Sequence, residues 1–227
     1  MEDFSYAPIG GSPTGSMPES KLWFNDGIWW ATMFDATSGD HHIFRLNGTA
    51  WADTGTAVDA RDSSRADALW DAAAGKLYVA SHGFTSTASA STSSNGRLWR
   101  FSYDSATKRY TRDSGFPVSG LPINNVKSET LVIDKDTGKP GRLWATWTDG
   151  TNVFVSSTNG TDTQWGTPFQ VPGSTALNTD DISSLIEFSG RIGVMWSNQV
   201  DHKFWFATHP DTSARRSRRA KPSLPRR

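Results

Sequence analysis

The sequence predicts an all-β protein, a β-propeller of four-stranded antiparallel blades. Helical periodicity is absent, and short apolar runs rich in Trp, Phe, Val, Ile and Thr alternate with clusters of Gly, Asn, Asp and Ser. These runs repeat in units of about 50 residues with four strands each, which is the sequence form of propeller blades. Aromatic residues make up 12% of the 227 residues and include 11 Trp, which indicates a packed fold.

Composition excludes several classes of protein. No apolar run approaches the roughly 18 residues of a membrane-spanning helix, so we expect no membrane span. Cysteine is absent, which excludes disulfides, thiolate zinc sites and a cysteine nucleophile. We find no Gly-rich phosphate loop, metal-spaced cluster or nucleophile elbow, and therefore expect no cofactor and no metal. The first 20 residues have no apolar segment, so the chain as written contains no signal peptide.

The formal net charge of zero conceals an uneven distribution. Residues 214–227 contain seven of the 23 basic residues and no acidic one, which leaves 16 basic against 23 acidic residues elsewhere. A mildly acidic body is a poor electrostatic match for nucleic acid, so we expect no nucleic-acid partner. We interpret residues 211–227 as a basic, disordered tail that follows the fold, with anion binding by the tail as the alternative.

The repeats define the domain organisation. Each unit opens with a polar stretch that leads into a first strand, and second and third strands follow. We expect an N-terminal extension at 1–19 and a propeller at 20–210, divided into blades at 20–65, 66–127, 128–180 and 181–210. The last unit lacks a polar turn and a fourth strand, so we count about three and a half blades.

Two interpretations of this incomplete fourth unit stay open. The chain is either a four-bladed ring with a natural basic tail or a larger propeller that has been cut short. We favour truncation, because the sequence changes abruptly to Arg, Pro and Ser after the last strand. An open ring would expose blade edges, which predicts edge-mediated self-association.

The turn at residues 157–165, Ser-Thr-Asn-Gly-Thr-Asp-Thr-Gln-Trp, resembles a degenerate Asp-box of the sialidase-type (BNR) propellers, Ser-x-Asp-x-Gly-x-x-Trp. The turns at 102–110 and 47–51 match it less well. The stretch 18–209 also resembles uncharacterised secreted repeat proteins, mostly actinobacterial. This resemblance implies an extracellular protein and, because such proteins are longer, a truncated six-bladed propeller. Asp-boxes themselves are expected to be structural: the Asn or Asp fixes the turn and the Trp packs between blades.

The catalytic residues of sialidases are not matched in this sequence. The resemblance would imply a Tyr nucleophile with a Glu partner, an Asp acid/base and three Arg residues, the first in an Arg-Ile-Pro motif. That motif is absent, and residues 191–193 read Arg-Ile-Gly inside a strand. Among arginines, only Arg65 lies at a blade entry. An enzyme built on this chain would therefore be a glycoside hydrolase of another mechanism.

Antiparallel topology brings distant residues together at one end of the central channel. The start of each first strand and the loop between second and third strands lie on the same face, and acidic residues recur at these entries. We predict a site there, with Asp67, Glu129 and Asp181 as catalytic candidates and Arg65, His82, Glu19 and Asn198 as ligand-binding candidates. Neighbouring entries could place two carboxylates roughly 5–9.5 Å apart, as glycosidases require. The alternative is a set of solvated or cross-blade ion pairs.

The leading hypothesis is extracellular recognition of a carbohydrate at this mouth, with or without glycoside hydrolysis. A non-catalytic protein-interaction or adhesion propeller and an inactive fragment are the alternatives. His41 and His42 should point to opposite sides of a strand and are not expected to share a metal. Residues 85–96, nearly all Ser, Thr and Ala, are expected to form a long flexible loop on the same face.

Overall fold

The computed structural model describes residues 17–61, 64–83, 96–121, 128–138, 141–210 and 221–222. All regular structure in these ranges is β, arranged in four antiparallel sheets that follow one another along the chain. None of these residues forms a helix long and apolar enough to cross a membrane. The prediction of an all-β fold with four-stranded antiparallel blades is confirmed. The expected loop at 85–95 and most of the expected tail lie outside the described residues.

Each blade is a meander whose strands pair in sequence order. Blade 1 contains β1 (Leu22–Asn25), β2 (Ile28–Asp35), β3 (Asp40–Asn47) and β4 (Ala50–Ala57). Blade 2 contains β5 (Ser64–Asp71), β6 (Lys76–Gly83), β7 (Gly96–Asp104) and β8 (Arg109–Arg112), and β9 (Val118–Leu121) also pairs with β7. Blade 3 contains β10 (Leu131–Lys135), β11 (Leu143–Asp149), β12 (Asn152–Ser157) and β13 (Phe169–Gln170). Blade 4 contains β14 (Ser183–Phe188), β15 (Arg191–Asn198), β16 (Lys203–Pro210) and β17 (Lys221–Pro222).

Local sequence explains the tight hairpins inside the blades. Asp26 and Gly27 join β1 to β2 with φ angles of 55° and 72°. Two consecutive positive φ values are typical of a type I′ turn, whose twist suits a two-residue hairpin and whose second position favours glycine. The same backbone pattern recurs at Ser189 and Gly190 in blade 4, with φ angles of 49° and 70°.

The hydrophobic core is divided among the spaces between neighbouring blades. In blade 3, Leu143, Ala145 and Trp147 of β11 face blade 2, whereas Trp144 of the same strand faces blade 4. A strand buried on both faces reads as a continuous apolar run, which is why the second strands stood out in the sequence. Trp30, Trp147 and Trp196 are among the largest fully buried side chains. Truncation of such a Trp to Ala typically costs about 3–5 kcal/mol.

The first strands of neighbouring blades lie next to each other and are linked by hydrogen bonds. Ala68 N–H donates to Ser20 O at 2.8 Å, which connects blade 2 to blade 1. Ile133 N–H of blade 3 donates to Asp67 Oδ2 of blade 2 at 2.8 Å. Glu187 N–H of blade 4 likewise donates to Asp134 Oδ2 of blade 3 at 2.6 Å. Asp67 and Asp134, called the bridging acids below, thus fix the register of one first strand against the next.

Blade 4 differs from expectation at its outer edge. The two-residue strand β17 pairs with β16 through Phe206–Lys221 and Trp205–Pro222, in the position of a fourth strand. The basic segment has no strand pattern, so the sequence did not predict this pairing, which involves the main chain. The outward faces of the end blades expose apolar side chains, including Phe24 and Trp29 in blade 1 and Ile186 and Met195 in blade 4.

Candidate functional site

The candidate site lies at the end of the blades where the first strands begin and the second strands finish, called the mouth below. At this end Arg65, near the start of β5, pairs in register with His82, near the end of β6. Glu19 and Glu129 precede β1 and β10, so they reach the same end from the blades on either side. The four residues Glu19, Arg65, His82 and Glu129 are called the mouth cluster.

Side chains of the mouth cluster contact each other across three blades. Arg65 Nη1 lies 3.6 Å from Glu129 Oε2, and His82 Nε2 lies 3.8 Å from Glu19 Oε1, longer than a hydrogen bond. Glu19 and His82 have side chains that are 0% exposed, and Glu129 is 5% exposed. Within the described part of the chain, both oxygens of Glu19 and both ring nitrogens of His82 are buried without a hydrogen-bond partner.

Neighbouring groups lower the pKa of Glu19 although it is buried. Burial alone would raise the pKa of Glu19, but His82 and Lys21 outweigh it and hold that pKa below its ordinary value. Lys21 Nζ lies 3.6 Å from Glu19 Oε2 and donates to Ala66 O at 2.6 Å. Burial lowers the pKa of Arg65, while Glu19 and Glu129 oppose this shift. The cluster thus combines two carboxylates with cationic partners in a poorly solvated place.

Asp67 lies deeper than predicted and serves a different purpose. It is the fourth residue of β5, its Oδ1 accepts from Ser20 N–H, and its Oδ2 accepts from Ile133 N–H. Burial raises the pKa of Asp67 to about 7, against the effect of these two hydrogen bonds. Both carboxylate oxygens are therefore occupied in joining blades 1, 2 and 3.

Asp181 and Asn198 hold loops of blade 4 and are not part of the mouth cluster. Asp181 is fully buried, and its Oδ1 accepts from Ser197 Oγ at 2.7 Å and from Gln199 N–H at 3.0 Å. Its Oδ2 accepts from Asn178 N–H at 2.7 Å. Asn198 Oδ1 accepts from Val200 N–H at 2.9 Å and from Asp201 N–H at 3.1 Å, which fixes the β15–β16 hairpin. The catalytic role of Asp181 and the ligand-binding role of Asn198 stay predictions.

A second buried polar group near the mouth, centred on Asp59, was not predicted from the sequence. Asp59, in the connection from β4 to β5, accepts from Ser81 Oγ at 2.6 Å and from Arg61 Nη2 at 2.6 Å. Burial raises the pKa of Asp59, but the bonds from Arg61 and Ser81 outweigh it and lower that pKa overall. Arg97 Nη1 lies 3.5 Å from Asp59 Oδ1. Asp59 lies in an irregular connection without periodicity, so no pattern marked it.

The two adjacent histidines diverge, as expected of neighbours in a strand. His41 Nδ1 lies 3.1 Å from Ser64 Oγ. His42 lies between carboxylates, with Nε2 3.0 Å from Asp40 Oδ1 and Nδ1 3.0 Å from Asp53 Oδ2. Potential ligand atoms of Asp35, His42 and Asp53 lie within 4.8 Å of one another, so this group has the donor set for a cation. Both ring nitrogens of His42 already face carboxylates, so the imidazole itself occupies the space between Asp40 and Asp53.

The turn that resembles an Asp-box contacts the preceding blade. Asp162 Oδ2 accepts from Tyr78 Oη at 2.7 Å and from Arg100 Nη1 at 2.8 Å, both in blade 2. Thr158 and Trp165 form a β-bridge, and Trp165 packs against the core between blades 2 and 3. These contacts support a structural role for the turn.

No protein-family model matches the chain, and no curated protein matches it in sequence. Among solved structures, it is similar to 1,3Gal43A, an exo-β-1,3-galactanase from Clostridium thermocellum, with a TM-score of 0.51 and 12% identity over 88% of this chain and 47% of that one. It is also similar to a mutant of the GH43 protein BlXynB from Bacillus licheniformis, with a TM-score of 0.52 and 11% identity over 92% of this chain and 42% of that one.

The chain therefore spans less than half the length of these two proteins. At such low identity the likeness shows the fold alone, and that fold is the predicted β-propeller. Neither of the two structures is named as a sialidase.

Proposed function

We propose that this chain is an extracellular carbohydrate-binding propeller whose mouth cluster contacts the sugar. The observation that carries the proposal is the group of buried polar atoms that the described residues leave without hydrogen bonds, at Glu19 and His82. An unsatisfied buried polar group costs about 1–3 kcal/mol, and more when it is charged. Sugar hydroxyls both donate and accept, so they match a carboxylate, which accepts, and an imidazole, which does both.

The balance of charge in the cluster favours a neutral sugar. Arg65 faces Glu129 at 3.6 Å and Lys21 faces Glu19 at 3.6 Å, so each cation already has an anionic neighbour. A sugar carboxylate would have to displace one of these carboxylates or lie beside it. Hydroxyl groups can bridge the charged atoms without this penalty, because each hydroxyl both donates and accepts.

The fold is compatible with a neutral carbohydrate as the ligand. One structural neighbour is named as an exo-β-1,3-galactanase, which supports testing β-1,3-linked galacto-oligosaccharides first. The extracellular location rests on the resemblance to secreted repeat proteins.

Hydrolysis is the second candidate function, favoured by the presence of two buried carboxylates in one cluster. Asp67 and Asp181 have both oxygens occupied by hydrogen bonds from the fold, whereas neither oxygen of Glu19 has a hydrogen-bond partner among the described residues. Glu19 is therefore better suited to contact a glycosidic bond, with Glu129 as the second carboxylate of the cluster. Glu19, with its lowered pKa, would act as the base or nucleophile. The expected result is release of reducing sugar that falls at least about 100-fold in Glu19→Gln. Binding without any such release would leave a lectin-like function.

Calorimetric titration with galacto-, gluco- and xylo-oligosaccharides tests the binding proposal. At least one series should bind, and Glu19→Gln and Glu129→Gln should each weaken binding about tenfold or more, since each removes a charged acceptor. Glu187→Gln is the control. It makes the same chemical change near the last residue of β14, at the end of the blade away from the mouth, and should leave affinity unchanged. No binding in any series, or equal losses in all three variants, would contradict the proposal and favour the protein-interaction alternative.

A further inference from the structure

The β15–β16 hairpin of blade 4 forms a cleft at the mouth that is separate from the mouth cluster. Its volume is about 270 Å³, and it is lined by Ser197, Asn198, Gln199, His202, Lys203 and Phe204. That volume is close to the lower end, roughly 300 Å³, of small-molecule sites, which suits a single sugar ring. Phe204 is 56% exposed.

Hydrogen bonds between side chains and main-chain N–H groups hold the hairpin in place. Asn198 Oδ1 accepts from Val200 and Asp201 N–H, and Asp181 accepts from Gln199 N–H at 3.0 Å. Trp205 Nε1 donates to Asp201 Oδ2 at 3.0 Å on the other side of the turn. The backbone of the cleft is therefore fixed before a ligand arrives, which reduces the entropic cost of binding.

The side chains around the cleft combine one apolar ring with several hydrogen-bonding groups. Phe204 offers an exposed aromatic ring, and Gln199 and His202 offer amide and imidazole groups. An aromatic surface next to a few polar groups is the usual composition of a site for a ligand with apolar C–H faces and polar edges, as a pyranose has. Lys203 Nζ lies 3.9 Å from Asp201 Oδ2, so the cation has an acidic neighbour and the cleft does not require an anionic ligand.

A short series of contacts connects the cleft to the mouth cluster. Thr130, the residue after Glu129, donates through Oγ1 to Ser183 O at 3.0 Å. Ile182, before Ser183, donates its N–H to Ser197 Oγ at 3.1 Å, and Ser197 lines the cleft. Both places therefore lie at the same end of adjacent blades.

We propose that this cleft is a second sugar-binding subsite, in which Phe204 stacks on a sugar ring of a neutral oligosaccharide whose other end contacts the mouth cluster. The inference rests on the proposed function and extends it: the preferred ligand is an oligosaccharide rather than a monosaccharide. Asp181 and Asn198 then act as positioning residues, because they hold the hairpin that forms the subsite.

The test is calorimetric titration of the full chain with galacto-, gluco- and xylo-oligosaccharides of one to six units. Affinity should rise with length in the preferred series, and Phe204→Ala should lower affinity for the longer members roughly tenfold while leaving the monosaccharide unchanged. Gln199→Ala should cause a smaller loss with the same length dependence. Val200→Ala is the matched control: Val200 is an exposed apolar residue of the same hairpin that does not line the cleft.

The outcomes separate the two proposals. If Glu129→Gln weakens binding but Phe204→Ala behaves like Val200→Ala at every length, the subsite is wrong and the mouth cluster stands. If Phe204→Ala weakens monosaccharide and oligosaccharide binding equally, the extended ligand is wrong. If no oligosaccharide binds the wild-type chain, both proposals are wrong.

Discussion

The bridging acids lie inside the first strands, whereas Glu19 and Glu129 of the mouth cluster lie just before β1 and β10, and the partners of these two groups of acids differ in kind. Asp67 and Asp134 accept main-chain N–H groups from the next first strand. Glu19 and Glu129 instead face the side chains of His82 and Arg65. Main-chain bonds fix the blades relative to one another, whereas side-chain contacts can be exchanged for a ligand. Position along the first strand therefore separates acids that join the blades through main-chain bonds from acids whose partners are side chains.

The largest effect expected from this difference is on Asp67. Asp67→Ala would leave the N–H groups of Ser20 and Ile133 buried without acceptors, so we expect it to lower the free energy of unfolding by about 2–5 kcal/mol. Chemical denaturation followed by Trp fluorescence measures the loss. A loss of stability smaller than that of Glu129→Gln would contradict the distinction between the bridging acids and the acids of the mouth cluster.

The pH dependence of stability sharpens the same comparison. Burial raises the pKa of Asp67 from 3.8 to about 7, so the folded state binds more protons than the unfolded state between these pH values. The stability that protonated Asp67 contributes is fully present below about pH 4. It is lost as the pH rises to about 7, which lowers the free energy of unfolding by up to about 4 kcal/mol. Asp67→Asn should remove this slope, measured as the difference in unfolding free energy from wild type at pH 4, 5.5 and 7. Parallel curves for the two proteins would contradict the raised pKa.

Asp134 should behave as a weaker bridging acid. It accepts from Glu187 N–H at 2.6 Å but is only partly buried, so water can reach the site more easily than at Asp67. We expect Asp134→Ala to destabilise the fold by about 1–2 kcal/mol in the same denaturation experiment. A loss as large as that of Asp67→Ala would show that the difference in burial between Asp134 and Asp67 does not set the size of the effect.

The smallest effect on stability is expected in the mouth cluster. Glu129→Gln preserves shape, and Arg65, whose side chain is 18% exposed, can turn towards water. We therefore expect a change in unfolding free energy below about 1 kcal/mol. Combined with the expected loss of sugar affinity, this result would identify Glu129 as a binding residue. A loss above about 2 kcal/mol would instead class it with the bridging acids.

Much of the fold could be predicted from the sequence, because blades bury alternating or continuous apolar runs whose period is visible directly. The runs around Trp30, Trp147 and Trp196 became the buried second strands. The two-residue strand β17 could not be predicted, because its pairing uses main-chain groups that every sequence offers.

The candidate site was predictable only in part. Topology predicted that residues at the strand entries converge, and Glu19, Arg65, His82 and Glu129 do lie together at one end of the blades. Their roles in binding or catalysis stay predictions. Asp67 was predicted to be one of the acidic residues at the strand entries, but β5 begins at Ser64, so Asp67 lies inside the strand. Asp67 lies two residues beyond Arg65, on the same side of β5 but farther from the mouth, and there it meets main-chain N–H groups of blades 1 and 3. Asp59 lies outside any strand, and no periodic signal could have found it.

The origin of the mouth cluster in three consecutive blades has a thermodynamic consequence. Blades stack as nearest-neighbour repeats, so each interface between them can in principle loosen separately. A ligand that touches Glu19, Arg65 and Glu129 together binds only when blades 1, 2 and 3 are docked, and it therefore stabilises two interfaces at once by mass action. Saturating sugar should raise the melting temperature and merge any separate transitions of the blades into one. The sugar affinity and the cooperativity of unfolding would then both report how strongly blades 1, 2 and 3 are coupled.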